Sequence, residues 1–253
     1  MQLRPIGWFH KTTARNLGVK IFRSLFGIED YHTHLRWNGI KQFLDSKAYE
    51  VLEVGANSGI MTFHFSNLNP AANFMASEYD ADAISEGLAV QKHYKQFKNV
   101  QFSSQDLREF KSDSKFDQIL LIDVLEHIKD DSILLSALGK TLKENGTLLI
   151  SVPTPRYPIV FGRDFHNSIG HVRDGYTIDH LSDTLDTAGF RILGTRLHTN
   201  VFNSFFCSLF YKIKFPGRLK WLLMTFLIPM VSVSESIQGK NSAGLVVLAE
   251  RLA

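Results

Sequence analysis

Three carboxylates carry the first chemical signal in the chain. Glu78, Asp106 and Asp123 each close or directly follow a short β-rich run, and a glycine-bearing turn, Val51-Leu52-Glu53-Val54-Gly55-Ala56-Asn57-Ser58-Gly59, ends the run before them. In an open α/β sheet the carboxyl ends of the strands form the edge where ligands bind. An acid at that edge can accept hydrogen bonds: Glu78 from both hydroxyls of a ribose, Asp106 from an adenine amino group. The glycines let the chain turn sharply and let a ligand approach the backbone. One such acid alone reads most simply as a solvated loop residue. Three at successive strand ends point to a shared nucleoside-containing ligand. A dinucleotide is disfavoured, because its fingerprint needs glycines where this chain has Asn57 and Ile60.

The elements that must hold these acids follow from periodicity. A helix is expected near Thr33–Leu44, with Leu35, Ile40, Phe43 and Leu44 facing inward. Strands are expected at Tyr49–Val54, Asn73–Tyr79, Val100–Ser103, Phe116–Ile122 and Gly146–Val152. Helices over Ser58–Asn67, Ala81–His93 and Asp130–Leu142 connect them. Phe116–Ile122 is almost uninterruptedly apolar, as a strand buried on both faces should be. A helix over Thr177–Ala188 ends at Gly189, and two last strands, Phe190–Leu197 and Ala243–Ala249, suit a hairpin closing the sheet. The segment between them is long for a loop and predicts two short amphipathic helices separated by Pro216 and Gly217. The fold class is therefore α/β: a seven-stranded, mostly parallel sheet with helices on both faces, its last strand antiparallel, and a helical insert before that strand. Three parts follow: a basic amphipathic segment over 1–45, a ligand-binding domain over 46–198 with 243–253, and a hydrophobic basic insert over 199–242.

Bulk properties narrow the setting. The 253 residues are 44% hydrophobic and 21% charged, the mix of a folded globule. A single cysteine, Cys207, excludes an intrachain disulfide and favours a reducing, cytoplasmic setting. The N-terminal residues show no apolar signal core, and the longest apolar run, Trp221–Val231, is well short of the roughly 20 residues that span a bilayer. The net charge of +3 is unevenly spread, with only basic charge over 1–28 and again over 187–234.

With these residues in view, the sequence resembles the class I, Rossmann-like S-adenosylmethionine-dependent methyltransferases, especially those acting on small molecules and quinone-like lipids. The motifs that carry the resemblance are VLEVGANSG (51–59), SEYD (77–80), QDL (105–107), FDQILLIDVLEHI (116–128), KENGTLLISVP (143–153) and HVRDGYT leading to AGF (171–190). They imply S-adenosylmethionine as cofactor and the S-adenosylhomocysteine product. Glu53 and the loop of Gly55, Ala56, Asn57 and Gly59 would hold its methionine part, and Glu78 with Tyr79 the ribose. Asp106 would take the adenine amino group, the Leu107 amide a ring nitrogen, and Asp123 and Val124 would lie beneath the sulfonium. Many members carry glycine where this chain has Asn57, which leaves that contact open.

Methyl transfer from a sulfonium chiefly needs alignment, and a base only for a hydroxyl or protonated amine. His127 and His171 are the candidate catalytic imidazoles, both after strands at the ligand edge, with Asp123 available to orient either; the alternative is a purely structural role for each. Tyr157, His166 and Tyr176 are further candidates to line an acceptor site. No metal-ligand set is apparent; His32 and His34 read as a polar helix start. Asn203–Val233 is aromatic, aliphatic and basic. It reads as a helical layer packed on the sheet or on a second subunit of a homodimer, a lid over an apolar acceptor, or, with residues 1–28, a peripheral contact to an anionic membrane. The expected acceptor is small and hydrophobic or lipid-linked. A nucleic-acid methyltransferase and a non-catalytic scaffold are the alternatives; against nucleic acid, the chain lacks an Asn-Pro-Pro-Tyr-like tetrad.

Overall fold

The apolar run Phe116–Ile122 is strand β4 of the computed structural model, with Ile119, Leu120 and Leu121 fully buried and a parallel neighbour on each side. The structure describes residues 31–106, 112–213, 219, 222–223, 226–236, 239 and 241–252. The expectations for residues 1–28, Leu107, Pro216, Gly217 and Trp221 lie outside them.

In chain order, helix α1 (Tyr31–Ile40) runs into a 3-10 turn at Lys41–Phe43, followed by β1 (Glu50–Val54), α2 (Ile60–Leu68), β2 (Asn73–Glu78), α3 (Ala81–His93) and β3 (Val100–Ser104). After β4 come α4 (Asp131–Thr141), β5 (Leu142–Pro153), the short helices α5 (Tyr157–Phe161) and α6 (Arg163–Ser168), α7 (Ile178–Thr187) and β6 (Phe190–His198). Helix α8 (Val201–Lys212), a 3-10 turn at Ile228–Met230 and α9 (Val231–Ser234) precede β7 (Gly244–Arg251). The sheet order is β3-β2-β1-β4-β5-β7-β6, with β7 antiparallel to both neighbours. This is the Rossmann-like sheet with its closing hairpin.

Strand alternation builds the core on both faces. Leu52, Val54, Ile119 and Leu121 pack with Leu134, Leu138, Leu181 and Leu185 of α4 and α7. Val51, Leu120 and Ile122 face the other way, against Met61, Phe63 and Phe65 of α2 and Val90 of α3. A third cluster joins α1 to the insert through Tyr31, Leu35, Tyr157, Phe161, Cys207, Phe210 and Ile228.

Three expectations need correction. Strand β5 begins at Leu142 rather than Gly146, absorbing a register irregularity opposite Phe116–Gln118 in which Asn145 takes a left-handed φ of 61°. The loop after β5 contains two helices, too short for the periodicity that reveals longer ones. His32 and His34 are no polar helix start: both are buried, and His32 packs 4.7 Å from the Phe161 ring, because α5 and α8 cover that side of α1.

Candidate functional site

The turn after β1 owes its shape to three consecutive requirements for left-handed backbone. Gly55, Asn57 and Gly59 have φ of 69°, 51° and 78°. Asparagine is among the few side-chain-bearing residues that visit this region readily, which explains how Asn57 can hold a left-handed turn position without being glycine. At Gly59 space forbids a side chain as well, since a Cβ there would lie 2.8 Å from the Phe102 ring. Gly55 and Ala56 donate their N–H groups to the Ser77 carbonyl at the end of β2, so the turn is tied to the neighbouring strand.

Glu78, 6% exposed, ends that strand and fastens the turn a second time. Its Oε2 accepts from the Asn57 N–H at 2.8 Å, and its Oε1 from the N–H groups of Tyr79 at 2.7 Å and Asp80 at 3.1 Å. Three bonds occupy three of roughly four acceptor positions on a carboxylate. One acceptor position stays open, and a second is freed only as one backbone bond loosens.

Glu53 is buried at the end of β1 and accepts from the Thr62 hydroxyl of α2. Burial pushes its pKa up to about 7, partly offset by the Thr62 bonds and the Arg36 charge. Asp123, immediately after β4, holds a left-handed φ of 52°. Its Oδ1 accepts from Ser151 Oγ at 3.1 Å, and its Oδ2 pairs with Arg36 of α1 at 2.5 Å. Asp123 is thus bonded to Arg36 and Ser151 rather than orienting a histidine.

Glu53, Gly55, Ala56, Asn57, Glu78, Tyr79, Asp106, Asp123, Val124 and His127 all border one cavity of about 720 Å³, within the roughly 300–1,000 Å³ of small-molecule sites. Gly59 stands behind the wall and shapes it. Sequence reasoning missed Thr33 and Arg36, which close the cavity from α1, together with Asp80, Ile128 and Ile169. Their 33/36 spacing on the helix before the glycine turn was the available signal.

Beside the cavity sits a group of imidazoles, of which His127 borders it. His127, in a 3-10 turn after β4, places Nδ1 3.2 Å from the Gly170 carbonyl. That oxygen can only accept, so Nδ1 donates and Nε2 keeps the lone pair. The His171 ring lies 4.7 Å from that of His127, 4.6 Å from His166 and 5.4 Å from Tyr157. Burial, with His127 and His166 nearby, lowers the His171 pKa to about 4. His166 is buried, its Nε2 3.2 Å from the Arg173 carbonyl. These four residues come together; Tyr176 does not join them. It is fully buried, its hydroxyl bonded to Asp131 and the Leu125 carbonyl while Arg173 donates to it. Desolvation and Asp131 raise its pKa.

The fold and this strand-edge cavity define a class: Rossmann-like methyltransferases. A family model described as a methyltransferase domain matches residues 30–194. The chain belongs to that family and is an S-adenosylmethionine-dependent methyltransferase. Its fold is shared with the O-methyltransferase from a trans-AT polyketide synthase of Brevibacillus brevis in complex with S-adenosylhomocysteine, at 12% identity and a TM-score of 0.60, over 96% of this chain and 78% of that one. It also resembles coclaurine N-methyltransferase bound to N-methylheliamine and S-adenosylhomocysteine, at 13% identity and 0.59, over 87% and 72%. The N-methyltransferase NodS of Bradyrhizobium japonicum matches at 12% identity and 0.52, over 95% and 91%. No curated protein matches the chain in sequence. Among the described residues no helix is long and apolar enough to cross a membrane.

Proposed function

We propose that this enzyme methylates an oxygen or nitrogen nucleophile on a small hydrophobic or lipid-linked acceptor. The observation that carries this is one cavity bordered both by the nucleoside-type acceptors Glu78 and Asp106 and by His127. S-Adenosylmethionine supplies, when bound, a methyl group on a positively charged sulfur. Glu53 and the 55–59 turn hold its methionine part, Glu78 and Tyr79 its ribose, and Asp106 its adenine, with Asp123 and Val124 beneath the sulfur. The chain's main contribution is alignment, worth up to about 7–11 kcal/mol. A hydroxyl or ammonium acceptor must also lose a proton; among the described residues His127 is the histidine that borders the cavity, and its Nε2 lone pair is the group suited to take it.

The apolar character of the acceptor is supported by the rings behind His171. Tyr157 stacks on Phe161 at 4.3 Å, and Tyr211 meets Phe161 at 5.0 Å. The outward face of α8 leaves Phe202, Phe205 and Tyr211 exposed next to Lys212. With no acidic side chain between 187 and 234, that face suits an anionic lipid surface holding the acceptor. The test is a labelled-methyl assay on fractionated extracts of the native host. Label should enter the organic-soluble fraction. Label confined to nucleic acid would remove the proposed acceptor, and tight S-adenosylhomocysteine binding without any turnover would favour a scaffold.

A further inference from the structure

We propose that Glu126, His127 and His171 form a binding site for a first-row divalent cation beside the cavity, suited to an acceptor that binds through a hydroxyl oxygen. One carboxylate oxygen and one nitrogen from each imidazole lie within 4.8 Å of one another. The residues come from two segments, the turn after β4 and the loop after α6, and Gly170 and Glu126 hold those segments together. The Val172 N–H donates to the Glu126 carbonyl at 2.9 Å, and Gly170 takes His127 Nδ1.

Two independent features point to a ligand rather than to packing. The Glu126 and His171 side chains are 1% and 3% exposed, yet Glu126 Oε2 and His171 Nδ1 have no hydrogen-bond partner. A buried polar atom left unsatisfied is costly, and the other atoms of the two groups do not bond each other either: His171 Nε2 lies 3.7 Å from Glu126 Oε1, too long for a hydrogen bond. The second feature is His127. Its Nδ1 is committed to a backbone carbonyl, the outer-shell bond that typically fixes the tautomer of a metal-ligating histidine.

Two imidazoles and one carboxylate suit Zn²⁺, Mn²⁺ or Fe²⁺ better than the oxygen-preferring Mg²⁺ or Ca²⁺, and three protein ligands leave positions open. Of the three, His127 borders the cavity, which sets the cation site beside the acceptor space. A hydroxyl bound there loses its proton to solvent while its oxygen stays on the ion. His127 then serves the acceptor through the cation instead of taking the proton itself. This chemistry rests on the cofactor reading above; the binding site does not.

The experiment titrates Zn²⁺ into chelator-stripped protein by calorimetry, with Co²⁺ absorption as a second readout and S-adenosylhomocysteine binding measured on the same samples. One saturable Zn²⁺ is expected per chain. Glu126→Gln, His171→Gln and His127→Ala should each weaken it at least about 10–100-fold, the range for losing even a supporting bond of a ligand. His180→Ala, an exposed histidine elsewhere, should leave it unchanged. If the buried substitutions unfold the chain, His127→Ala decides, because its side chain is exposed. Absent Zn²⁺ binding, or binding indifferent to His127→Ala, overturns the site. S-Adenosylhomocysteine binding with no Zn²⁺ binding overturns this inference alone. The reverse result supports the cation site and overturns the cofactor cavity.

Discussion

The acids that border the cavity and the imidazole group beside it are held in different ways. The acids are already tied into the scaffold: Glu78 takes three backbone N–H groups, Glu53 the Thr62 hydroxyl, and Asp123 both Arg36 and Ser151. In the imidazole group, Glu126 Oε2 and His171 Nδ1 are buried with their bonding capacity unspent. A site shaped by backbone turns and strand ends is rigid and generic to its fold. One shaped by side chains from distant segments can change its ligand without changing the sheet.

The largest expected effect tests the rigidity of the first group. Glu78→Ala removes a ribose acceptor and also releases the Asn57, Tyr79 and Asp80 N–H groups that shape the turn. Affinity for S-adenosylhomocysteine should fall by about 1–3 kcal/mol by calorimetry, roughly 5–150-fold. Unchanged affinity would remove Glu78 from the site.

Next comes a pH dependence centred on Glu53. Its folded pKa of about 7 lies above the ordinary carboxylate value, so the folded chain holds an extra proton between about pH 4.5 and 7. This contribution to stability is present at low pH and is lost as pH rises through that window. Pairing with the cofactor's ammonium requires the ionised form, with Arg36 and Glu78 the other charges facing it. Binding should therefore tighten about tenfold from pH 6 to 8 and release a proton near pH 6. Glu53→Gln should flatten that profile; an unaltered slope would place the titrating group elsewhere.

A smaller effect separates scaffold from site. Tyr176→Phe deletes a hydroxyl shared by Asp131, Arg173 and Leu125, and should cost about 1–2 kcal/mol in chemical denaturation. Cofactor affinity should be unchanged, because Tyr176 does not border the cavity. A large loss of binding would show that Tyr176 supports the cofactor cavity after all.

The same contrast explains what the sequence disclosed. The bounds of β4 and α3 agree with their expected spans, because one is a long apolar run and the other a periodic helix with Asp80 capping it through the Asp82 N–H. The acids were legible because a strand end fixes where a side chain stands. Arg36 was not, since its role depends on α1 crossing the strand edge to meet Asp123, a tertiary fact. The imidazole group was legible only as separate histidines. Nothing local says that α5 and α6 fold back to set His166 and Tyr157 around His171, or that Glu126, inside a motif quoted for the fold, turns its carboxylate toward that ring.

Asn57 offers the finest test of how far the cofactor site is preset by backbone alone. With φ at 51° it occupies a region that costs most side chains about 1–2 kcal/mol. Glycine removes that strain but loosens the unfolded chain, and it forfeits the 2.8 Å bond that Asn57 Oδ1 accepts from the Ser58 N–H. The gains and losses oppose one another, so Asn57→Gly should change S-adenosylhomocysteine affinity by less than about twofold. Asn57→Ala keeps the strain without the local bond, and should lose about 1 kcal/mol of stability with weaker binding. If alanine binds as well as glycine, the turn is set by Gly55, Gly59 and the Glu78 clasp, and position 57 only follows.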